Sequence, residues 1–231
     1  GFCSEQDAFY EEISGWEFLT GLLSLQGFTP AAAGARAEEA LAIVELAQDK
    51  DRKIRGYSRG MRQRIKFAQA IAHDPDLLVL DEPLSGLDPL GKRKIIRLIK
   101  DYKMRGKTVL VSSHVLPEIE AMTSDIILIH QGRILAKGDI HYIRDLIESH
   151  PHVISIKCGN VRGLAAEFVR EGFVRKLDFG PDDDTLTVET HDRDAFFGRL
   201  PAVLLENGIQ VEEISSPDDN LQAVFDYLVG K

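Results

Sequence analysis

The chain has 231 residues, of which 44% are hydrophobic and 28% charged, and its formal net charge is −9. This composition is typical of a globular protein with enough apolar material for a core, and it lacks the excess of Lys and Arg that drives nucleic-acid binding. No apolar run approaches the ~18 residues needed to span a bilayer, so we expect any membrane role to act through a partner. Cys3 and Cys158 have no metal-site or redox spacing and are predicted to be free thiols.

The first third of the chain predicts helices. Ser14 is a candidate N-cap that forms a capping box with Glu17, and the apolar residues that follow recur at helical spacing. The segment 27–30 breaks this helix, and an alanine-rich helix follows over residues 31–47. A further helix is predicted over 60–73.

Strands alternate with helices in the next part. The continuous apolar run Leu77–Leu80 predicts a strand buried on both faces of a parallel sheet. A helix over 89–104, a strand over Thr108–Ser112 and a short helix near 117–122 follow. This alternation predicts an α/β sheet.

The last part has a different pattern. Two strands around Gln131-Gly132 predict a hairpin, and His150-Pro151 marks a domain boundary at 148/149. Beyond it, the predicted elements run β-α-β-β-α-β over residues 153–214, which resembles a ferredoxin-like unit, and a helix over 220–228 ends the chain. Residues 151–231 carry 15 acidic and 8 basic side chains, which argues further against nucleic-acid binding.

Two adjacent carboxylates, Asp81 and Glu82, end the apolar strand. The simplest interpretation is a solvated strand end. However, paired carboxylates that are partly buried are costly unless a cation or proton relieves them, and open α/β sheets bind ligands at the carboxyl ends of their strands. A Mg²⁺ held through Asp81 would offset this charge, and Glu82 would then accept a proton from an attacking water.

Ser58-Arg59-Gly60 opens a predicted helix. A helix N-terminus favours a phosphate, Ser58 adds a hydroxyl and Gly60 permits a close backbone approach. Residues 50–66 also hold eight Lys or Arg and one acid, Asp51. The alternatives are an ordinary N-cap and a solvated charged face.

Four segments occur in a fixed order: Tyr57–Met61, Leu77–Glu82, Ser85–Asp88 and His114. Together they resemble the ATP-binding subunit of an ABC transporter, of the bacterial exporter type, over about residues 1–140. The resemblance implies an α/β fold: a partial P-loop NTPase domain over 1–148 with a helical subdomain at about 12–72. A small α+β accessory domain over 149–231 follows.

The resemblance also implies roles for individual residues. Asp81 binds Mg²⁺, Glu82 is the general base and His114 touches the γ-phosphate. The residues expected to contact ATP held by the opposite subunit, or to cross the dimer interface, are Ser58, Arg59, Gly60, Met61 and Asp88. The family has a segment called the Q-loop, whose Gln side chain reaches Mg²⁺ or water, and residues 4–6 occupy its place here. Alignment of residues 7–12 with family sequences puts Glu5 in the position of that Gln, and Gln6 one residue later, so Glu5 is favoured over Gln6.

The implied partners are a transmembrane permease, a second nucleotide-binding subunit in a homo- or heterodimer, and no nucleic acid. The implied place is the cytoplasmic face of the membrane, as a peripheral subunit. Phe9, Tyr10 and Trp16 are candidates for the groove that receives the permease, or for core packing. The accessory domain is expected to help subunits pair.

The glycine-rich loop that grips phosphates is the missing part. Gly106-Lys107-Thr108 matches the last three positions of the pattern G-x-x-x-x-G-K-[ST]. However, Asp101 stands where the first Gly is required, and a helix is predicted before this segment where the loop needs a strand. Because the chain starts at Gly1 rather than Met, we expect it to begin in mid-chain. Because it lacks the phosphate-binding loop and its Lys, we expect it to be inactive alone.

Two other functions stay open. One is a soluble ABC-type ATPase of DNA repair or translation, although the sequence shows no long heptad segment and only one set of motifs. The other is a non-catalytic accessory subunit that donates its signature motif, Tyr57–Met61, in trans.

Overall fold

A computed structural model describes residues 1–145, 147 and 151–229. The chain divides into two compact units, Gly1–Met122 and Thr123–Lys231. The predicted boundary at 148/149 lies outside the described residues. Within the described part of the chain, no helix is both long and apolar enough to cross a membrane.

Three helices pack against one another in the first unit: α1 (Gly15–Leu25), α2 (Pro30–Ile43) and α3 (Arg59–Ile71). The predicted capping box is confirmed, because Ser14 Oγ accepts from the Glu17 N–H at 3.1 Å and the Glu17 carboxylate accepts from the Ser14 N–H at 2.8 Å. The break at 27–30 is confirmed as well. Two unpredicted 3₁₀ turns, at 47–49 and 54–56, lead into α3.

A parallel three-stranded sheet forms the rest of this unit, in the order β1 (Phe2–Cys3), β2 (Leu77–Asp81), β3 (Thr108–Ser112). Helices α4 (Pro89–Met104) and α5 (Leu116–Glu120) follow β2 and β3. Asp81 is in register with Ser112, so the carboxyl ends of β2 and β3 lie side by side.

The prediction that β2 is buried on both faces is wrong. Leu78 and Leu80 are fully buried, but Leu77 is 51% exposed. Phe2 and Leu110, which flank Val79 in register, are each 57% exposed. A strand's side chains alternate between faces, so a continuous apolar run predicts two apolar faces without showing that both are covered.

The second unit begins with a hairpin of β4 (Asp125–His130) and β5 (Arg133–Asp139). Gln131 and Gly132 both have positive φ, 48° and 74°, as the two central residues of a type I′ hairpin turn require. The predicted turn is therefore confirmed. Helix α6 (Ile140–Asp145) was not predicted, and it packs against α9 (Leu221–Val229).

The remaining elements run β6 (His152–Cys158), α7 (Val161–Phe168), β7 (Val174–Phe179), β8 (Thr185–Thr190), α8 (Arg193–Glu206) and β9 (Val211–Ser215). The strands form an antiparallel sheet in the order β7-β8-β6-β9. Phe168 of α7 and Phe196 of α8 stack with ring centroids 4.7 Å apart in the core beneath it.

Candidate functional site

The carboxyl ends of β2 and β3 bring the two predicted acidic residues together with hydroxyl donors. Ser112 Oγ donates to Asp81 Oδ1 at 2.6 Å, and the Glu82 N–H donates to the Ser112 carbonyl at 3.0 Å. Both carboxylates are partly buried. The sheet edge therefore holds Asp81 and Glu82 in a defined place rather than leaving them as a loose strand end.

Glu82 is the most constrained of the predicted site residues. Its Oε1 accepts from the His114 N–H at 2.8 Å and lies 2.7 Å from His114 Nδ1, while Oε2 accepts from Ser113 Oγ at 3.2 Å. Its φ is +46°, in the left-handed region that non-glycine residues rarely adopt. Its side chain is 14% exposed, whereas that of His114 is 81% exposed.

This contact determines the protonation of His114. An ionised carboxylate only accepts hydrogen bonds, so Nδ1 carries the proton that bridges to Glu82. The hydrogen bond and the negative charge of Glu82 raise the pKa of His114 above its ordinary value, with a smaller contribution from the charge of Glu5. The imidazole Nε2 is left for another partner.

The carboxyl ends of β2 and β3 offer oxygen ligands for a divalent cation. Among the described residues, no group of three or more His, Cys, Asp or Glu is arranged to hold a metal. Mg²⁺, however, binds through one or two carboxylates together with phosphate oxygens and waters. The Asp81 carboxylate beside the Ser112 hydroxyl is an oxygen donor set of that kind, so these residues fit Mg²⁺ bound with a nucleotide.

Ser58 begins α3 as its N-cap, and its Oγ accepts from the Met61 N–H at 3.2 Å. The hydroxyl still has its own hydrogen to donate. The Met61 side chain is buried in the core, and its N–H is the group that donates to Ser58. A cavity of about 590 Å³ lies beside this end of α3, and Ser58, Gly60 and Asp88 are among its lining residues.

Arg59 links the start of α3 to the loop Ser85–Asp88. Its Nη2 donates to Ser85 Oγ at 3.3 Å. Its side chain also lies over Gly86, where an added Cβ would come within 2.4 Å of Arg59 Nε, and Gly86 has φ +73°. Asp88 has a local role that we did not predict: it is the N-cap of α4, and its Oδ1 accepts from the Gly91 N–H at 2.6 Å.

Most of the cationic run 50–66 is paired within the first unit. Six of its eight cations form ion pairs. Four of these pairs, at 2.8–3.2 Å, are with acids of residues 7–12: Lys53 and Arg55 with Glu12, Arg62 with Glu11, and Lys66 with Asp7. Arg64 instead donates to the carbonyls at the end of α2. Arg59, at the start of α3, forms no ion pair with the acids that the structure describes; its hydrogen-bond partner is Ser85.

Glu5 and Gln6 are both exposed. The Glu5 carbonyl accepts from Lys66 Nζ at 2.6 Å, and the Gln6 N–H donates to Ser4 Oγ at 3.2 Å. The buried polar side chains of Lys66 and Gln63 were missed by the sequence analysis. The sequence did contain an indication of their burial, because both residues fall among the apolar positions of the predicted helix over 60–73.

The dismissal of Gly106-Lys107-Thr108 as a phosphate loop is confirmed. Gly106 follows the end of α4 with φ +79°, and Thr108 begins β3. Lys107 Nζ forms ion pairs with Asp74 at 3.2 Å and Asp76 at 3.1 Å.

Comparisons with known proteins agree with this geometry. The family model described as ABC transporter matches residues 1–85. A bacitracin transport ATP-binding protein of Enterococcus faecalis is 30% identical over the whole chain, which spans 72% of that protein. A fluoroquinolone export ATP-binding protein of Mycobacterium tuberculosis is 39% identical over 55% of the chain and 43% of its own length.

A solved structure of an ATP-binding subunit of an ABC transporter superposes with a TM-score of 0.56 and 29% identity, over 62% of this chain and 60% of that one. The chain spans about half of the length of several curated relatives that it matches. With the acidic pair at the sheet edge, the histidine beside it and the serine-capped helix, these matches establish the family. The chain belongs to the family of ABC transporter ATP-binding proteins.

Proposed function

We propose that this chain supplies the hydrolytic part of a composite ATP site that powers transport through a membrane subunit. The observation that carries this proposal is the cluster of Glu82, Ser113 and His114 at the carboxyl end of β2 and β3. A partly buried carboxylate oriented by three donors, beside an exposed imidazole, has no evident packing purpose.

In this proposal, Glu82 is the general base. The donors from Ser113 and His114 orient its carboxylate, and the lone pair left on Oε2 accepts the proton of the attacking water. His114 contacts the γ-phosphate through Nε2, since Nδ1 is engaged with Glu82. When bound, Mg²⁺ would neutralise phosphate charge. Asp81 would hold the ion, and Glu5 or Gln6 would reach the ion or the attacking water from the Q-loop.

The signature motif acts in trans in this proposal. Ser58, Arg59, Gly60 and Met61 face ATP held by a second nucleotide-binding subunit, and Asp88 lies at the interface with it. The support is the N-terminal end of α3, which favours an anion, and the Arg59 guanidinium beside it, which has no ion-pair partner among the described residues.

In this proposal, the loop that binds the phosphates of ATP is supplied by residues other than those assigned above. The 231 residues contain no complete G-x-x-x-x-G-K-[ST] pattern. Since that loop and its Lys cradle the β- and γ-phosphates, we propose that the 231 residues alone neither bind ATP tightly nor hydrolyse it.

The proposed partner is a transmembrane permease, with this subunit peripheral on the cytoplasmic face. Tyr10 is 73% exposed near the helical subdomain and is available to such a partner, whereas Phe9 packs edge-on against Phe18 at 5.5 Å. We further propose that residues 149–231 are a ferredoxin-like domain that helps subunits pair. The sheet order and the alternation of strands and helices support this classification. Unchanged subunit assembly after removal of residues 151–231 would contradict the pairing role.

The test of the proposed function is ATP turnover in a preparation that contains a complete phosphate loop. Glu82→Gln should lower kcat by about 10²–10⁴, as expected when a general base is lost, and leave ATP binding unchanged. Glu39→Gln, an exposed substitution on α2, is the matched control and should keep full turnover. Full turnover in Glu82→Gln would refute the assignment.

A further inference from the structure

Helix α3 carries two polar side chains in its buried face. Gln63 is 4% exposed and Lys66 is 6% exposed. They are three residues apart, so they lie on the same side of the helix. Burying an amide and an ammonium is costly unless they find hydrogen-bond partners, so what they contact indicates why they are there.

Lys66 holds the segment that carries Glu5. Its Nζ donates to the Glu5 carbonyl at 2.6 Å and pairs with Asp7 Oδ1 at 3.0 Å. Arg62, one turn earlier on α3, pairs with Glu11 at 2.8 Å. The segment 5–11 is therefore fixed to α3 by cations at two points.

Gln63 holds the segment that carries Glu82. Its Nε2 donates to the Glu82 carbonyl at 3.3 Å and to the Pro83 carbonyl at 2.9 Å. These bonds act on the residue whose φ of +46° is strained, a conformation that persists only when its surroundings enforce it.

We propose that Gln63 and Lys66 are positioning residues that set the separation of Glu5 and Glu82. Gln63 donates to the main-chain carbonyl of Glu82, and Lys66 donates to that of Glu5. Both lie on α3, the helix that begins within the signature motif. Contact of a phosphate with the start of α3 is thereby transmitted to the general base and to the Q-loop residue. This inference rests on the proposed roles of Glu5 and Glu82.

The first experiment is hydrogen exchange on the 231-residue chain. Lys66→Met removes the donor but keeps an apolar stem in the core, and it should speed amide exchange in residues 4–12 about tenfold, as expected for one lost charged hydrogen bond. Gln63→Met should have the same effect on residues 82–86. Lys66→Arg should restore slow exchange, and Gln69→Met on the same helix is the control. Unchanged exchange in both Met variants would overturn the inference.

The second experiment separates positioning from folding. In a preparation with a complete phosphate loop, Lys66→Met should lower kcat about tenfold with KM for ATP unchanged, and Lys66→Arg should recover it. If Glu82→Gln abolishes turnover while Lys66→Met and Gln63→Met keep full kcat, this inference fails and the proposed function stands. If Glu82→Gln keeps full turnover, the proposed function fails first.

Discussion

A buried ion pair in the second unit gives a stability prediction that can be worked out from its contacts. The Arg144 guanidinium, on α6, contacts the Asp218 carboxylate, and their side chains are 1% and 8% exposed. Arg144 also donates to the Pro151 carbonyl at 3.0 Å, and Asp218 accepts from the Val153 N–H at 3.1 Å. The pair thus joins α6 to β6 and to the segment before α9.

We predict that Arg144→Met lowers the free energy of unfolding of the second unit by about 3–5 kcal/mol, because Asp218 then stays buried without its cation. With a urea m value of about 2 kcal/mol/M, the midpoint falls by about 1.5–2.5 M. The double variant Arg144→Met/Asp218→Asn should recover part of this loss, since no buried charge is left unpaired.

The two cysteines allow each unit to be followed separately. Cys3 lies in the first unit and Cys158 in the second, and both thiols are free and buried. Alkylation in increasing urea, measured on each peptide by mass spectrometry, should show an earlier midpoint for Cys158 and an unchanged one for Cys3. Asp182→Asn, in an exposed turn, is the control. An unshifted Cys158 midpoint in Arg144→Met would refute the reasoning.

Three further predictions follow from the first unit. The pKa of His114, followed by NMR, should lie above its ordinary 6.5 and fall towards it in Glu82→Gln. The stabilisation from this pair is full below pH 6.5 and lost as pH rises through the raised pKa; an equal pKa in both proteins would contradict the contact. Gly86→Ala should destabilise the protein by more than about 1 kcal/mol, because φ is +73° and the Arg59 side chain fills the space that a Cβ needs. Gly21→Ala, in α1 with open space around it, should stabilise the protein by about 0.5–1 kcal/mol. Equal midpoints of the two variants in thermal unfolding would count against this. Ser14→Ala should cost about 1 kcal/mol in urea unfolding followed by the fluorescence of the single tryptophan, and no loss would argue against the capping box.

Local signals in the sequence predicted much of the fold. The capping box at Ser14, the helix 89–104 and the strand Thr108–Ser112 follow from caps, spacing and apolar runs, which act over a few residues. Helix α6 was missed because its six residues are too short to show a helical period. The exposure of Leu77 was missed because burial depends on which elements cover a face.

The candidate site was predictable in its residues but not in its contacts. The order of the motifs identified Asp81, Glu82 and His114, but only the fold shows that His114 and Glu82 share a hydrogen bond. Likewise, charge counting over 50–66 did not show that acids of residues 7–12 form ion pairs with four of those eight cations. Pairings between residues tens of positions apart depend on the tertiary structure.

We propose that these 231 residues carry the groups that hydrolyse ATP, and that the loop which binds its phosphates lies elsewhere. Titration of ATP with Mg²⁺ into the folded 231-residue chain by calorimetry tests it most directly. We predict no saturable binding up to about 1 mM, which corresponds to a binding free energy weaker than about −4 kcal/mol. Saturable binding with a Kd near 1 μM, about −8 kcal/mol, would contradict the claim.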